Sequence, residues 1–173
     1  MMQTVAAVCV LFAHALATKC PGSPAWVHAS CEATVSFPVA CDAVRAEVKS
    51  RIAGENGWKD PHNGGKYSVL SDGAGLLEVS RTTANGQYTD KMDLTFTADG
   101  SGCKLEACSE SQVTSVLDFS TNYCNLHNLW CGAKDGCPVA KQDLADYKET
   151  LGSCWQNDKS KCVVKGRAAN LVM

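Results

Sequence analysis

Hydrophobic and polar residues alternate in five short stretches of the chain, which is the pattern of β-strands that bury one face. The stretches cover residues 34–39, 66–71, 76–83, 88–97 and 103–111. The fourth is the clearest, because Met92, Leu94 and Phe96 all fall on one face. Turn residues separate the last four stretches, and Asn85-Gly86 is a strong hairpin signal because both residues tolerate positive φ. We therefore predict an antiparallel meander sheet of four to five strands.

A helical repeat follows the first of these strands, at residues 42–53. Val44, Val48 and Ile52 recur every four residues and form one apolar face, while Arg45, Lys49 and Arg51 lie off it. Two further helices are predicted C-terminal to the sheet, at residues 121–130 and 140–151. An antiparallel sheet needs a cover on one face, and the apolar stripe of the first helix supplies it. The predicted fold is therefore α+β, with one helix packed on a face of the sheet.

The N-terminus carries an apolar run at residues 5–16, followed by Ala15-Leu16-Ala17. The run is shorter than the roughly 20 residues that cross a bilayer, and the small-x-small triplet fits a cleavage site. We interpret residues 1–17 as a secretory signal peptide, although no Lys or Arg precedes the run; the alternative is an N-terminal helix that stays buried. The protein is thus expected to be extracellular or in the lumen of the secretory pathway, without a transmembrane anchor.

Cysteine is enriched, at 11 of 173 residues. Cleavage would remove Cys9 and leave an even number, which in an oxidising compartment predicts up to five disulfides. The pairing cannot be deduced from the sequence. The ten expected half-cystines are Cys20, Cys31, Cys41, Cys103, Cys108, Cys124, Cys131, Cys137, Cys154 and Cys162. We expect one disulfide-stabilised domain over residues 18–158.

The charges are nearly balanced, with 16 Lys and Arg against 18 Asp and Glu and a net charge of −2. This balance lacks the basic footprint of a nucleic-acid-binding protein and gives no general attraction to an anionic membrane. Basic residues gather only at residues 159–173, which we predict to form a flexible tail. The alternative for this tail is an ionic tether to an acidic component of an extracellular surface.

Residues 109–122 read Ser-Glu-Ser-Gln-Val-Thr-Ser-Val-Leu-Asp-Phe-Ser-Thr-Asn. They resemble the closing motif of an uncharacterised family of small α+β domains, known only as a domain of unknown function, in which Ser-x-Ser-x-Val-Gly-x-Ser-Asp-x-Gly-x-Asn leads into a helix. The matching residues are Ser109, Ser111, Val113, Asp118 and Asn122, with one extra residue before the aspartate. Thr114 and Ser120 replace the glycines of the family, and Glu110 and Gln112 replace its arginines. The resemblance spans about residues 33–130; it implies the strand–helix–strands–helix order and supplies no activity.

Two groups of residues raise the question of a metal or a catalytic nucleophile. Soft ligands lie close together at Cys124, His127, Cys131 and Cys137, and four such ligands can hold a structural zinc. Their spacing lacks the tight Cys-x₂-Cys pair, and secreted cysteines usually pair with each other, so we predict neither a metal nor a cofactor. Residues 151–155 resemble the nucleophile segment of papain-like cysteine proteases, but no histidine follows Cys154.

Two functions stay open at this point. The first is a binding or structural module that holds a small apolar ligand between helix and sheet; the residues named for this site are Tyr88, Met92, Phe96, Asp118 and Asn122. The apolar members of this set could equally fill a dry core, and Asp118 could cap a helix. The second is a secreted hydrolase, for which the candidates are Asp60, His62, Asp118 and His127. No catalytic residue is assigned, because no nucleophile and base converge in the sequence.

The signal-peptide interpretation predicts the covalent state of the exported protein. Expressed with its own leader in a secretory host, the protein should begin at Thr18 and contain no free thiol, because the odd cysteine leaves with the leader. N-terminal sequencing and a thiol titration under denaturing conditions check this. Retention of residues 1–17 together with a titratable Cys9 would contradict the interpretation.

Overall fold

A six-stranded antiparallel sheet is the frame of the computed structural model, which describes residues 20–164. The strands are β1 Ser30–Phe37, β2 Lys66–Asp72, β3 Leu76–Thr82, β4 Thr89–Asp99, β5 Gly102–Ser111 and β6 Lys148–Cys154. The helices are α1 Cys41–Ile52 and α2 Thr121–His127. The predicted α+β class is confirmed. The predicted signal peptide with Cys9, and the end of the predicted basic tail, lie outside the described residues.

The spatial order of the strands is β2-β3-β4-β5-β1-β6. Strands β2 to β5 are neighbours both in the chain and in the sheet, as their turn sequences predict. β1 lies between β5 and β6, with Val35 opposite Leu105 on one side and Thr34 opposite Thr150 on the other. This strand ends at Phe37, before Pro38, whose missing N–H cannot continue a ladder.

The helix predicted at residues 140–151 is wrong. The structure has irregular chain at residues 140–147 and β6 from Lys148, so the sheet has six strands instead of four to five, and α2 is the only α-helix after β5 among the described residues. The amides of Ala140, Lys141 and Gln142 donate to the Glu47 carboxylate, which fixes the start of this segment against α1. The free edge of β1 offers backbone partners to the segment that follows. These tertiary contacts outweigh its helical propensity.

The core lies between one face of the sheet and both helices. Val44 and Val48 of α1 and Leu126 of α2 pack against the inward residues of β1, β3, β4 and β5, all of them buried. Met92 and Leu94 have no exposed surface, so the space between α1 and the sheet is filled with protein side chains. The apolar stripe predicted for the first helix therefore covers the sheet as expected.

All ten cysteines between residues 20 and 164 are paired. The disulfides are Cys20–Cys108, Cys31–Cys154, Cys41–Cys103, Cys124–Cys162 and Cys131–Cys137. The first fixes the N-terminal segment to the outer face of the sheet, where Glu110 also accepts a hydrogen bond from the Gly22 amide. The fourth fixes α2 to the C-terminal segment. Cross-links of this kind stabilise a fold mainly by restricting the unfolded chain.

The segment after residue 158 is attached to the domain at least as far as Val164. Its Cys162 is fully buried, and the Cys162 carbonyl accepts a hydrogen bond from the Asn128 side chain. The Val164 amide donates to the Pro61 carbonyl at 3.0 Å. Among residues 20–164, no helix combines the length and the apolar character that a membrane crossing requires.

A buried ion pair joins α1 to two distant segments. Arg51, which the helical pattern placed off the apolar face, is fully buried, and its Nε donates to Glu47 Oε1 at 2.7 Å. The Arg51 Nη1 group donates to the carbonyls of Asn128 and Cys131. Burial on its own would raise the pKa of Glu47, but the amides of Gln142 and Ala140 and the Arg51 side chain outweigh it and lower this pKa.

Replacement of Glu47 by Gln should destabilise the fold by about 3 kcal/mol at neutral pH, because it leaves the Arg51 charge buried without a counter-charge. Since the folded-state pKa of Glu47 is lowered, its stabilisation is present above the ordinary carboxyl pKa of about 4.3 and is lost as the pH falls through the folded value. The difference in the free energy of unfolding between wild type and Glu47→Gln should therefore become smaller as the pH falls. Urea unfolding at several pH values between 3 and 7 measures this difference.

Glu106→Gln is the matched control. Glu106 pairs with Lys104 at 3.0 Å on the outer face of the sheet, where water screens the charges, and its loss should cost about 1 kcal/mol or less. Equal effects of the two substitutions, or a Glu47→Gln effect that does not change with pH, would contradict the assignment.

Candidate functional site

An open groove of about 550 Å³ lies at the end of the sheet where β3 turns into β4. One wall is the β3–β4 hairpin and the other is the segment between β5 and α2, residues 112–120, which we call the β5–α2 loop. The lining residues are Asn63, Thr83, Ala84, Asn85, Tyr88, Asp90, Ser111, Val113, Thr114, Ser115, Val116, Leu117, Asp118, Phe119 and Thr121.

The walls of the groove are apolar and exposed. The exposed fractions are 52% for Tyr88, 66% for Val116 and Leu117, and 69% for Phe119. Phe119 and Ser120 both have left-handed backbones, with φ of 52° and 65°, which residues with a side chain seldom adopt. Two such residues in succession turn the chain sharply before α2. Concentrated apolar exposure of this kind marks interaction sites on folded proteins.

Two carboxylates lie at the floor of the groove. Asp90 is 4% exposed and accepts hydrogen bonds from the Ser111 hydroxyl and the Asn125 amide, both at 2.8 Å. Asp118 is 8% exposed and accepts from the backbone amides of Ser120 and Asn122. All of these donors are neutral. Within residues 20–164, neither carboxylate forms a salt bridge.

Asn122 lies directly beneath this floor and joins its parts. Its side-chain oxygen accepts from the Ser109 hydroxyl at 2.7 Å. Its amide nitrogen lies 3.0 Å from the Ser111 hydroxyl oxygen and 3.2 Å from both Asp118 Oδ2 and the Ala29 carbonyl. The serines, aspartate and asparagine that carry the family resemblance therefore form one buried hydrogen-bond network. This network attaches the start of α2 to β5.

A second buried polar cluster adjoins the groove. Arg81, directly opposite Asp90 in the sheet, is fully buried and forms an ion pair with Asp60 at 2.5 Å. Its guanidinium also contacts Asn63, a lining residue. Burial alone would raise the pKa of Asp60, but the Arg81 charge and the amides of His62 and Gly65 lower it. Any side chain at position 65 would collide with the guanidinium, so glycine is needed there.

The structure separates the residues that the sequence proposed as one ligand site. Tyr88 and Asp118 line the groove. Met92 is fully buried in the core, and Asn122 is under the groove floor. Phe96 lies further along β4, where the Arg45 guanidinium is 5.1 Å from its ring centre. The pocket expected between helix and sheet is occupied by core side chains, and the groove lies at the edge of this interface.

The hydrolase candidates are likewise dispersed. Asp60 is held by Arg81, and His62 contacts the Lys161 carbonyl at 2.6 Å and the Thr121 hydroxyl at 3.4 Å. His127 is buried beside Glu149 at 3.3 Å. Asp118 is hydrogen-bonded within the β5–α2 loop and α2. No two of these four side chains are hydrogen-bonded to each other within the described residues.

The soft ligands considered above for zinc lie close together, but their cysteines are oxidised. The side chains of His127, Cys131 and Cys137 approach within 4.8 Å of one another. The two cysteines are joined in a disulfide, and Cys124 is bonded to Cys162. A cysteine binds zinc as a thiolate, which a disulfide sulfur is not, so this group offers only the histidine as a ligand.

The β5–α2 loop was not predicted from the sequence as the wall of a groove. Its signal is the composition: Val113, Val116, Leu117 and Phe119 crowd a stretch without strand or helix periodicity, whereas loops are ordinarily polar. Asp90 was also missed as a site residue. It falls on the same face of β4 as Met92, so a carboxylate on the inward face is a detectable irregularity.

Comparisons with known proteins do not assign the chain to a family. No protein-family model matches it, and no curated protein sequence does. Among solved structures, the chain is similar to the Mll3558 protein of Rhizobium loti, with a TM-score of 0.35 and 14% identity over 55% of this chain and 86% of that one. A similarity this remote supports no functional inference, and the function has to be argued from the groove.

Asn122→Leu should lower the free energy of unfolding by about 2–4 kcal/mol, because it removes one hydrogen-bond partner from each of two buried hydroxyl groups and a buried carboxylate. Denaturant unfolding measures the loss, and limited proteolysis should show faster cleavage in the β5–α2 loop. Gln142→Leu also replaces a side-chain amide by leucine, but at an exposed position, and should change stability by less than about 0.5 kcal/mol. Similar effects of the two substitutions would contradict the anchoring role of Asn122.

Proposed function

We propose that this protein is a secreted binding module whose site is the groove between the β3–β4 hairpin and the β5–α2 loop. Its ligand is a small amphipathic molecule with an apolar body and at least one polar group. The observation that carries the proposal is the combination of exposed apolar walls with two buried carboxylates at the floor. The proposed site replaces the helix–sheet interior that the sequence suggested.

The size and chemistry of the groove support a small-molecule ligand. Binding sites for small molecules typically measure about 300–1,000 Å³ and combine apolar walls with a few convergent polar groups. The groove, of about 550 Å³, has this composition. Its floor is rigidly held by the Asn122 network, whereas its walls are loop and hairpin side chains. A preformed floor lowers the entropy cost of binding.

The compartment is part of the proposal. Five disulfides among residues 20–164 are typical of proteins that fold in an oxidising environment. The leader-like residues 1–17 favour export. The disulfides attach the N-terminal segment to the sheet and the C-terminal segment to α2. We expect them to keep the domain that carries the groove folded outside the cell.

A neutral fluorescent probe tests the groove. N-phenyl-1-naphthylamine should bind the wild-type protein with a rise in fluorescence. The double substitution Val116→Ser with Leu117→Ser should weaken binding about tenfold or more, because about 1–2 kcal/mol of apolar contact is lost. The control is Val69→Ser with Leu70→Ser, which makes the same kind of change at two exposed residues of β2 and should leave binding unchanged.

Two outcomes would overturn the proposal. Equal binding by wild type and the Val116/Leu117 double variant would place the probe elsewhere. Sedimentation should show the same monomeric mass for both proteins. A wild-type dimer that the substitutions dissociate would mean that a second copy of the chain covers the groove.

A further inference from the structure

We propose that the groove selects an organic cation: a protonated or quaternary amine attached to an apolar body. This inference rests on the proposed function and names the ligand class of the same site. It is carried by charge complementarity between such a ligand and the groove, together with the aromatic side chains on the walls.

The lining of the groove has a charge of one sign. Asp90 and Asp118 are its only ionisable acids or bases other than Tyr88, and none of the lining residues is Lys, Arg or His. Buried carboxylates ordinarily have a cationic partner or a metal ion. These two have only neutral hydrogen-bond donors within residues 20–164. A carboxylate has about four acceptor positions, so Asp90, with two donors, has capacity for a ligand N–H.

Cations close to the groove do not cancel this charge. Arg81 lies opposite Asp90 in the sheet; it forms its ion pair with Asp60 and is also attracted by the Asp90 charge, so this one guanidinium faces two carboxylates. His62 contacts Thr121 at the rim and carries at most one positive charge. Lys161 contacts His62 through its backbone carbonyl and not through its charged side chain. The groove therefore keeps an excess of negative charge.

The walls add a second preference for the same ligand class. Tyr88 on the hairpin and Phe119 on the β5–α2 loop are both more than half exposed and both line the groove. The faces of aromatic rings attract cations, including the ammonium groups of amines and above all quaternary ammonium groups. An amine with an apolar body satisfies the carboxylates, the rings and the aliphatic walls at once.

A charge series on one carbon skeleton tests the inference without altering the protein. The probes are 4-phenylbutylamine, 4-phenylbutanol and 4-phenylbutanoate, with affinities measured by displacement of N-phenyl-1-naphthylamine at pH 7. The amine should bind about tenfold more tightly than the alcohol, as one desolvated charge contact provides. The carboxylate should bind most weakly.

Substitutions then locate the preference. Asp90→Asn should reduce the ratio of amine to alcohol affinity at least about threefold, and Asp93→Asn, the same change on the opposite face of β4, should leave this ratio unchanged. Asn125 Oδ1 has no hydrogen-bond partner in the described residues, so a rotated Asn125 amide can accept from the side-chain amide introduced at position 90 and preserve the fold. Asp118→Asn and Phe119→Leu provide independent variants, each expected to lower the same ratio.

The outcomes separate the two proposals. Equal affinities for all three probes, abolished by the Val116/Leu117 double substitution, would overturn the cation inference and leave the binding groove. Tightest binding of 4-phenylbutanoate would also overturn it. Failure of all three probes and of N-phenyl-1-naphthylamine to bind would overturn the proposed function, and the ligand class with it. If Asp93→Asn removed the preference for the amine as effectively as Asp90→Asn, the assignment of this preference to the groove would be overturned.

Discussion

The geometry of the groove depends on one buried side chain, the amide of Asn122. Helix α2 has only seven residues, and helices this short do not form on their own propensity in water. Its first turn is fixed instead by Asn122, which binds β5 through two serine hydroxyls and binds the β5–α2 loop through Asp118. The disulfide from Cys124 to Cys162 secures the middle of the same helix. The loop is thus held at its C-terminal end by Asn122 and in its middle by Ser115, whose hydroxyl accepts from the Ala29 amide and whose amide donates to the Val27 carbonyl. Its apolar residues are left exposed.

The helix-facing side of the sheet has two regions, one held by apolar packing and one by hydrogen bonds. Under α1 the residues are aliphatic, and Val48, Met92 and Leu94 fill the space by close packing. Under α2 they are polar, and Ser109, Asp90 and their partners are linked by hydrogen bonds. Buried polar networks contribute little net stability, but their directional bonds fix positions more narrowly than apolar contacts do. The groove opens at the polar end, where Asp90 and Asp118 are among its lining residues.

A domain of this architecture does not by itself imply an activity, since one fold hosts many functions. The functional argument therefore rests on the placement of groups that folding alone does not explain. Exposed Phe119 and Leu117 do not contribute to the core, and the buried carboxylates of Asp90 and Asp118 form no salt bridge among the described residues. Arg81 shows the contrast: its charge is matched by Asp60, and the two serve as structure beside the site.

The sequence by itself determined the α+β class, the four-stranded meander and both helices that contact the sheet. Period-two alternation, four-residue spacing and turn chemistry are local properties of the chain, so they can be recognised without the fold. The even number of cysteines after residue 17 identified the residues that pair. The sequence could not determine which cysteines join, because pairing depends on distance in the folded state. It failed at β6, where the amides near Ala140 bind Glu47 and the free edge of β1 provides a partner. Of the five residues proposed from the sequence for a ligand site, Tyr88 and Asp118 line the groove, while Met92 lies in the core, Asn122 lies under the floor and Phe96 lies beside Arg45. Only the tertiary structure brought the β5–α2 loop against the hairpin, since contacts between residues about 30 positions apart leave no periodic trace in the sequence.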